Sequence, residues 1–114
     1  MIAVIFEVVP TRSGKNEYLA IAATLKDQLT AIPGFISVER FESLTNPDKL
    51  LSLSFWENEE SVARWRNLEM HRIAQADGRD RLFRDYRIRV GTMTRDYTLT
   101  KRAQAPDDSM QWFG

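Results

Sequence analysis

An almost unbroken apolar run, Ile2 to Val9, opens the chain and stops at Pro10. It is rich in β-branched residues and predicts a strand. Tyr18, Ala22, Leu25, Leu29 and Ile32 then recur at alternating spacings of four and three, leaving Lys15, Glu17, Lys26 and Asp27 for solvent. That is the apolar stripe of one helix, with Ser13 placed to cap it and Pro33-Gly34 to end it. Phe35 to Leu44 and Lys49 to Trp56 predict two more strands. The short polar turn Thr45-Asn46-Pro47-Asp48 makes them an antiparallel hairpin. Asn58, followed by Glu59 and Glu60, signals a second helix start. Helical character runs to about Gly78, either unbroken or with a break near Asn67. Arg79 to Asp85 is expected as a loop or short helical turn, and Tyr86 to about Tyr97 as a fourth strand. Lys101 to Gly114 reads as a polar tail that ends in Trp112-Phe113.

The order β-α-β-β-α-β is the ferredoxin-like motif, an α+β fold with a four-stranded antiparallel sheet. Residues 1–99 form the expected domain and 100–114 the tail. Two helices cover one face of such a sheet, yet the strands are apolar on both. Ile2, Val4, Phe6 and Val8 fall on one face of the first strand, Ala3, Ile5 and Val9 on the other. In the third, Leu51, Leu53 and Phe55 oppose Leu50 and Trp56. Each such side chain left wet forgoes roughly 1.5–3 kcal/mol. A second copy of the same sheet is the economical cover, giving a homodimer through the sheet face. The alternative is that the tail, with Trp112 and Phe113, folds back over the sheet.

Composition narrows the chemistry. The absence of cysteine removes disulfides, thiolate nucleophiles, cysteine-bound zinc and iron–sulfur clusters. Sixteen basic and sixteen acidic residues balance to zero, without the surplus that nucleic-acid binding requires. The N-terminus reaches Glu7 without a basic segment or a membrane-length apolar run. The expectation is a cytoplasmic protein with neither nucleic acid nor membrane as partner.

Among residues that carry chemistry, His71 is the only histidine and a candidate general base. The alternative is a surface histidine without chemistry. Glu7 stands inside an apolar strand, so its carboxylate is either at a pocket or paired with an arginine, Arg40 being the partner in view. Trp65 continues Val62 at i+3 spacing and reads as core, as a pocket wall, or as both. Arg79, Arg81, Arg84, Arg87 and Arg89 alternate with Asp77, Asp80 and Asp85, which favours a salt-bridged surface over an anion site. Tyr86 is either a substrate contact or a core tyrosine. No phosphate-cradling glycine loop, Ser-His-Asp order, HExxH or metal-binding carboxylate motif is present.

The stretch SFWENEESVARWRNLEMHRIAQ, Ser54 to Gln75, resembles the antibiotic biosynthesis monooxygenase family, and GFISVERFESL up to Leu44 is similar to that family's second strand. The resemblance covers residues 1–97. It implies a dimeric α/β barrel with a pocket in each subunit between helices and sheet. Some members oxidise polyketide-like aromatics with dioxygen and without metal or flavin; others bind and degrade haem. The haem-degrading branch uses an Asn on the first strand, a Trp on the second helix and a His ten residues later. Trp65 matches the Trp, while the other positions fall near Phe6-Glu7 and on Gln75, and Gln is not a normal haem ligand. His71 lies six residues from Trp65, about 120° around an ideal helix, so a break near Asn67 is needed to bring both into one pocket.

The resulting expectation is a small dimeric monooxygenase acting on a hydrophobic, aromatic or polyketide-like molecule. His71, Trp65 and Glu7 are its catalytic candidates, and Phe6, Arg40, Asn67, Gln75 and Tyr86 its substrate contacts. No metal and no resident cofactor are expected, with external haem or flavin left open. The alternatives are a haem-binding or haem-degrading protein and a non-enzymatic binding or stress-related module.

Overall fold

The computed structural model describes residues 1–75 and 79–113; the side chains of Gln75, Arg79, Asp80 and Phe113 lie outside that description. Strand β1 spans Ile2–Pro10, β2 Phe35–Glu42, β3 Leu50–Trp56 and β4 Phe83–Thr92. Helix α1 spans Gly14–Thr30, α2 Glu59–Gln75, α3 Arg79–Leu82 and α4 Asp107–Phe113. The strands form one antiparallel sheet in the order β2-β3-β1-β4. This is the expected ferredoxin-like arrangement.

Alternation along the central strand sorts the two faces. Ile2, Val4, Phe6 and Val8 are buried in the core with Tyr18, Leu25 and Leu29 of α1 and Val62, Trp65 and Ile73 of α2. Ala3, Ile5, Glu7 and Val9 point the other way. The registers Ala3↔Phe55, Ile5↔Leu53 and Glu7↔Leu51 put the larger β3 side chains on that open face. Ile5, Leu51, Leu53 and Phe55 are only half-buried there, and Phe41 of β2 is exposed. The helix-facing side of β3 reads Leu50, Ser52, Ser54, Trp56, all buried. Its two small serines sit beneath the helices, and Ser54 Oγ accepts the Trp56 indole N–H at 2.9 Å.

The element boundaries differ from the sequence reading in several places, β2 ending at Glu42 rather than Leu44 among them. Ser13 is helical and makes no side-chain cap; Thr11 Oγ1 accepts the Gly14 N–H at 2.9 Å instead and donates to the Arg81 carbonyl at 2.7 Å. Helix α2 runs without a break through Asn67 as far as Gln75, and the expected extension to Gly78 lies outside the described residues. Its start does follow expectation, with Asn58 Oδ1 accepting the Ser61 N–H at 2.9 Å. Strand β4 begins at Phe83 and stops at Thr92, the partner of Ile2, with Met93 N–H donating to the Met1 carbonyl at 2.9 Å just beyond the last pair. The tail carries α4, whose Trp112 is 80% exposed, and no extended packing surface joins α4 to another element. It therefore does not cover the sheet. No helix among the described residues is long and apolar enough to cross a membrane.

Candidate functional site

The layer between helices and sheet is centred on Phe6, which is wholly buried. Its ring meets four others edge-on: Tyr18 at 6.4 Å, Trp65 at 6.2 Å, Phe83 at 6.3 Å and Tyr86 at 5.9 Å between centroids. Edge-to-face contacts of this kind hold an aromatic cluster in a fixed geometry. Strand register sets the floor. Ser52 is the cross-strand partner of both Phe6 and Arg40, so Arg40 lies on the same, helix-facing side of the sheet.

Above that floor stands a polar group that an oily layer does not ordinarily contain. Glu69 projects from α2 one turn after Trp65 and is 1% exposed. Trp65 hydrogen-bonds its side chain, and the Arg40 charge favours the carboxylate. Burial outweighs both and pushes the carboxyl up to about 7. Tyr18, from α1, has its phenol pushed up to about 12 by burial and by the neighbouring Glu69 charge, with Arg40 opposing. The three groups thus act on one another, yet one polar atom of each is left without a hydrogen-bond partner. Among the described residues, the buried side-chain polar atoms without a hydrogen-bond partner are Tyr18 Oη, Arg40 Nε and Glu69 Oε2. The ion pairs found there are formed by other residues, and none joins Arg40 to Glu69.

Each unsatisfied buried polar group costs about 1–3 kcal/mol. All of them gather in one cluster, which makes it the candidate polar site of this layer. A carboxyl that titrates near neutrality is suited to accept and return a proton. A guanidinium held beside it stabilises negative charge on an oxygen.

The sequence candidates divide accordingly. Phe6, Trp65, Arg40 and Tyr86 meet in this layer. Glu7 does not: it faces the open side of the sheet, 3.1 Å from Lys49 Nζ and 3.4 Å from Arg89 Nη1. The hydrogen bond from Lys49, with the Lys49, Arg89 and Arg87 charges, holds its carboxyl below the ordinary carboxylate range against the effect of burial. A Glu7–Arg40 anchor is therefore excluded, since the two residues lie on opposite faces. His71 and Asn67 are exposed on α2, and without a helix break His71 does not come round to Trp65. The Gln75 side chain lies outside the described residues. Of the basic cluster, Arg81 pairs with Glu17, and Arg84 lies 3.8 Å from Asp48; with Arg89 on Glu7, these partners come from other elements rather than from the alternating aspartates. Arg79, Asp77 and Asp80 fall outside what is described.

Sequence reasoning missed Tyr18, Glu69 and Phe83. Glu69 was marked by its place in the series Val62, Trp65, Glu69, Ile73, where one charge interrupts an apolar stripe. The residues present do not fit haem held by the branch described above. The one histidine is on the outer face of α2, and the first-strand position is occupied by the ring-packed Phe6. Among the described residues no group of His, Asp and Glu could hold a metal ion.

A sequence profile described as antibiotic biosynthesis monooxygenase matches residues 1–77. The chain is 48% identical over 94 residues to a Pyricularia oryzae protein named Jasmonate monooxygenase ABM, covering 82% of this chain and 44% of that protein. The chain therefore spans less than half of that relative's length. Among solved structures it is similar to a Mycobacterium tuberculosis protein, with TM-score 0.71 at 17% identity, over 85% of this chain and 98% of that one. A conserved Methanosarcina mazei protein gives 0.69 at 17% identity, over 82% and 92%. At such identities the two structures speak for the fold.

Proposed function

The chain belongs to the antibiotic biosynthesis monooxygenase family, and from that premise we propose that it oxidises a hydrophobic, ring-bearing small molecule with dioxygen and without a resident cofactor. The observation that carries this reading is the Tyr18–Arg40–Glu69 cluster, in which Tyr18 and Glu69 are buried, Arg40 is half-buried and one polar atom of each lacks a hydrogen-bond partner, beside the aromatic wall of Phe6 and Trp65. A substrate with an enolic or phenolic hydroxyl answers both charges. Its O–H donates to Glu69, and its oxygen accepts from Arg40 or from Tyr18 Oη. Glu69 takes the proton as general base, and the resulting oxyanion is stabilised by Arg40 in a low-dielectric site.

The electron-rich anion then reduces dioxygen. A ring CH2 activated by the oxyanion becomes a carbonyl; one oxygen atom enters the product and the other leaves as water, with all four electrons drawn from the substrate. Glu69 returns the proton it took. The site works within a homodimer, in which a second copy covers the open face bearing Ile5, Leu51, Leu53 and Phe55. The relative named for jasmonate supports an oily ring compound as the ligand class.

Oxygen uptake with anthrone- and quinol-type substrates tests the reading. Uptake is expected from the wild type and is expected to fall at least about 100-fold in Glu69→Gln, the scale of a lost general base. No uptake across the panel, or full uptake by Glu69→Gln, would overturn it.

A further inference from the structure

The segment after β4 is ordered by its own contacts. Thr98 N–H donates to the Lys101 carbonyl at 2.8 Å, and Asp96 N–H to Gln104 Oε1 at 2.8 Å. Arg102 donates to Ser109 Oγ at 2.8 Å and stacks its guanidinium 5.4 Å from the Tyr97 ring centroid. A segment tied together in this way still keeps its apolar side chains in water: Leu99 is 89% exposed, Trp112 80%, Met110 43%. Ordering such a segment loses conformational entropy that these exposed side chains do nothing to offset.

The shape of the molecule agrees. A compact chain of this length has a radius of gyration of about 13 Å. This one has 16.5 Å, with a long dimension of 53 Å against 35 and 19 Å. The arm departs from the open face of the sheet: Asp96, near its root, lines a groove of about 190 Å³ with Met1, Ile36, Ser37 and Phe55. Phe55 belongs to the half-buried apolar surface of that face. An arm that leaves at this edge and stands clear of its own body is directed toward whatever covers the sheet.

Given the sheet-to-sheet pairing proposed above, we infer that the arm, residues 96–113, lies across the second copy of the chain and buries Trp112 and Met110 against it, each subunit clasping the other. The pairing of sheets supplies the first contact and the arm extends it. An arm that joined only after pairing would slow dissociation more than it hastened association.

Two measurements on the full chain and on a chain ending at Arg95 test this. By sedimentation, removal of the arm is expected to raise the dimer dissociation constant at least tenfold while the truncated chain stays folded. The truncation is tolerable because no extended packing surface joins α4 to another element of its own subunit. Acrylamide quenching of Trp112, read as the difference between wild type and Trp112→Phe, is expected to be weak at dimer concentrations and strong on dilution; Trp56 and Trp65 are buried and supply the constant background. Equal dissociation constants with a freely quenched Trp112 in the dimer would overturn the clasp and leave sheet pairing standing. A full chain that is monomeric throughout would overturn both, and neither result depends on oxygen turnover.

Discussion

Replacing Glu69 by glutamine isolates the energetics of the buried cluster. In the folded chain this carboxyl titrates near 7 rather than at its ordinary 4.5. Between those values the folded state holds a proton that the unfolded state has released. The native state therefore binds more protons, and stability falls as pH rises through the window. Below it both states are protonated and there is no penalty; above it both are ionised and the whole penalty is present. At about 1.4 kcal/mol per tenfold change in proton affinity, the full penalty is about 3 kcal/mol. Glutamine carries no such proton.

The attraction between Arg40 and the ionised carboxylate is already contained in that value of about 7, and the guanidinium itself stays charged throughout the window. Tyr18, pushed up to about 12, titrates outside it. Glu7, whose carboxyl is held low, stabilises with the opposite pH dependence but is present in both proteins and cancels in the difference. Urea unfolding of wild type and Glu69→Gln at one protein concentration, at pH 4.5, 6 and 7.5, gives the measurement. The stability of the variant relative to wild type should improve by about 3 kcal/mol from the lowest pH to the highest. A difference that stays flat within about 1 kcal/mol would refute the claim that burial governs this carboxyl.

Three further outcomes are expected. His71→Ala, on the exposed face of α2, should leave both turnover and stability unchanged within about 0.5 kcal/mol, as surface substitutions do; a tenfold loss of oxygen uptake would return the base role to that residue. Thr11→Ala removes the side-chain acceptor for the Gly14 N–H and the tie to the Arg81 carbonyl, and should lower stability by about 1–2 kcal/mol in denaturant titration. Gly34→Ala should cost at least about 1–3 kcal/mol, because Gly34 holds φ at 92° and an added Cβ would run into Ser61; an unchanged midpoint would show that the turn readily adjusts.

Period-two and period-3.6 patterns were sufficient for the sheet and both long helices, because burial on alternate positions of β1 and along one stripe of α1 is what folds them. The ends were less legible. Thr11 and Ser13 are both capping residues, and only the path of the chain past Leu82 decides that Thr11 is used. Strand β4 ends at the partner of Ile2, the first residue of β1, so its limit goes with the register of another part of the chain.

The site was half visible. Trp65 and Arg40 stood out by residue type, and Phe6 by its strand. Attention to residues that titrate near neutrality in water favoured His71, whereas the group brought to that range by burial is an ordinary glutamate. Burial is a property of the assembled layers, so a shifted carboxyl shows in sequence only as a charge on an oily stripe. Glu7, another charge amid apolar neighbours, carries the same mark and faces outward, which is why the mark alone does not separate them.

The turn between α1 and β2 reaches further than its size suggests. Ser61, in the first turn of α2, donates its hydroxyl to the Pro33 carbonyl at 2.5 Å, immediately before Gly34. From this pivot one limb of the chain runs outward along β2 to Arg40 and the other along α2 to Glu69. The limbs that bear the cation and the carboxyl are thus tied together at a joint some way from either, much as the legs of a pair of dividers meet at the rivet. Substitutions around Pro33 and Ser61 offer a way to tune proton affinity in the interior while every residue that would meet a ligand is left untouched.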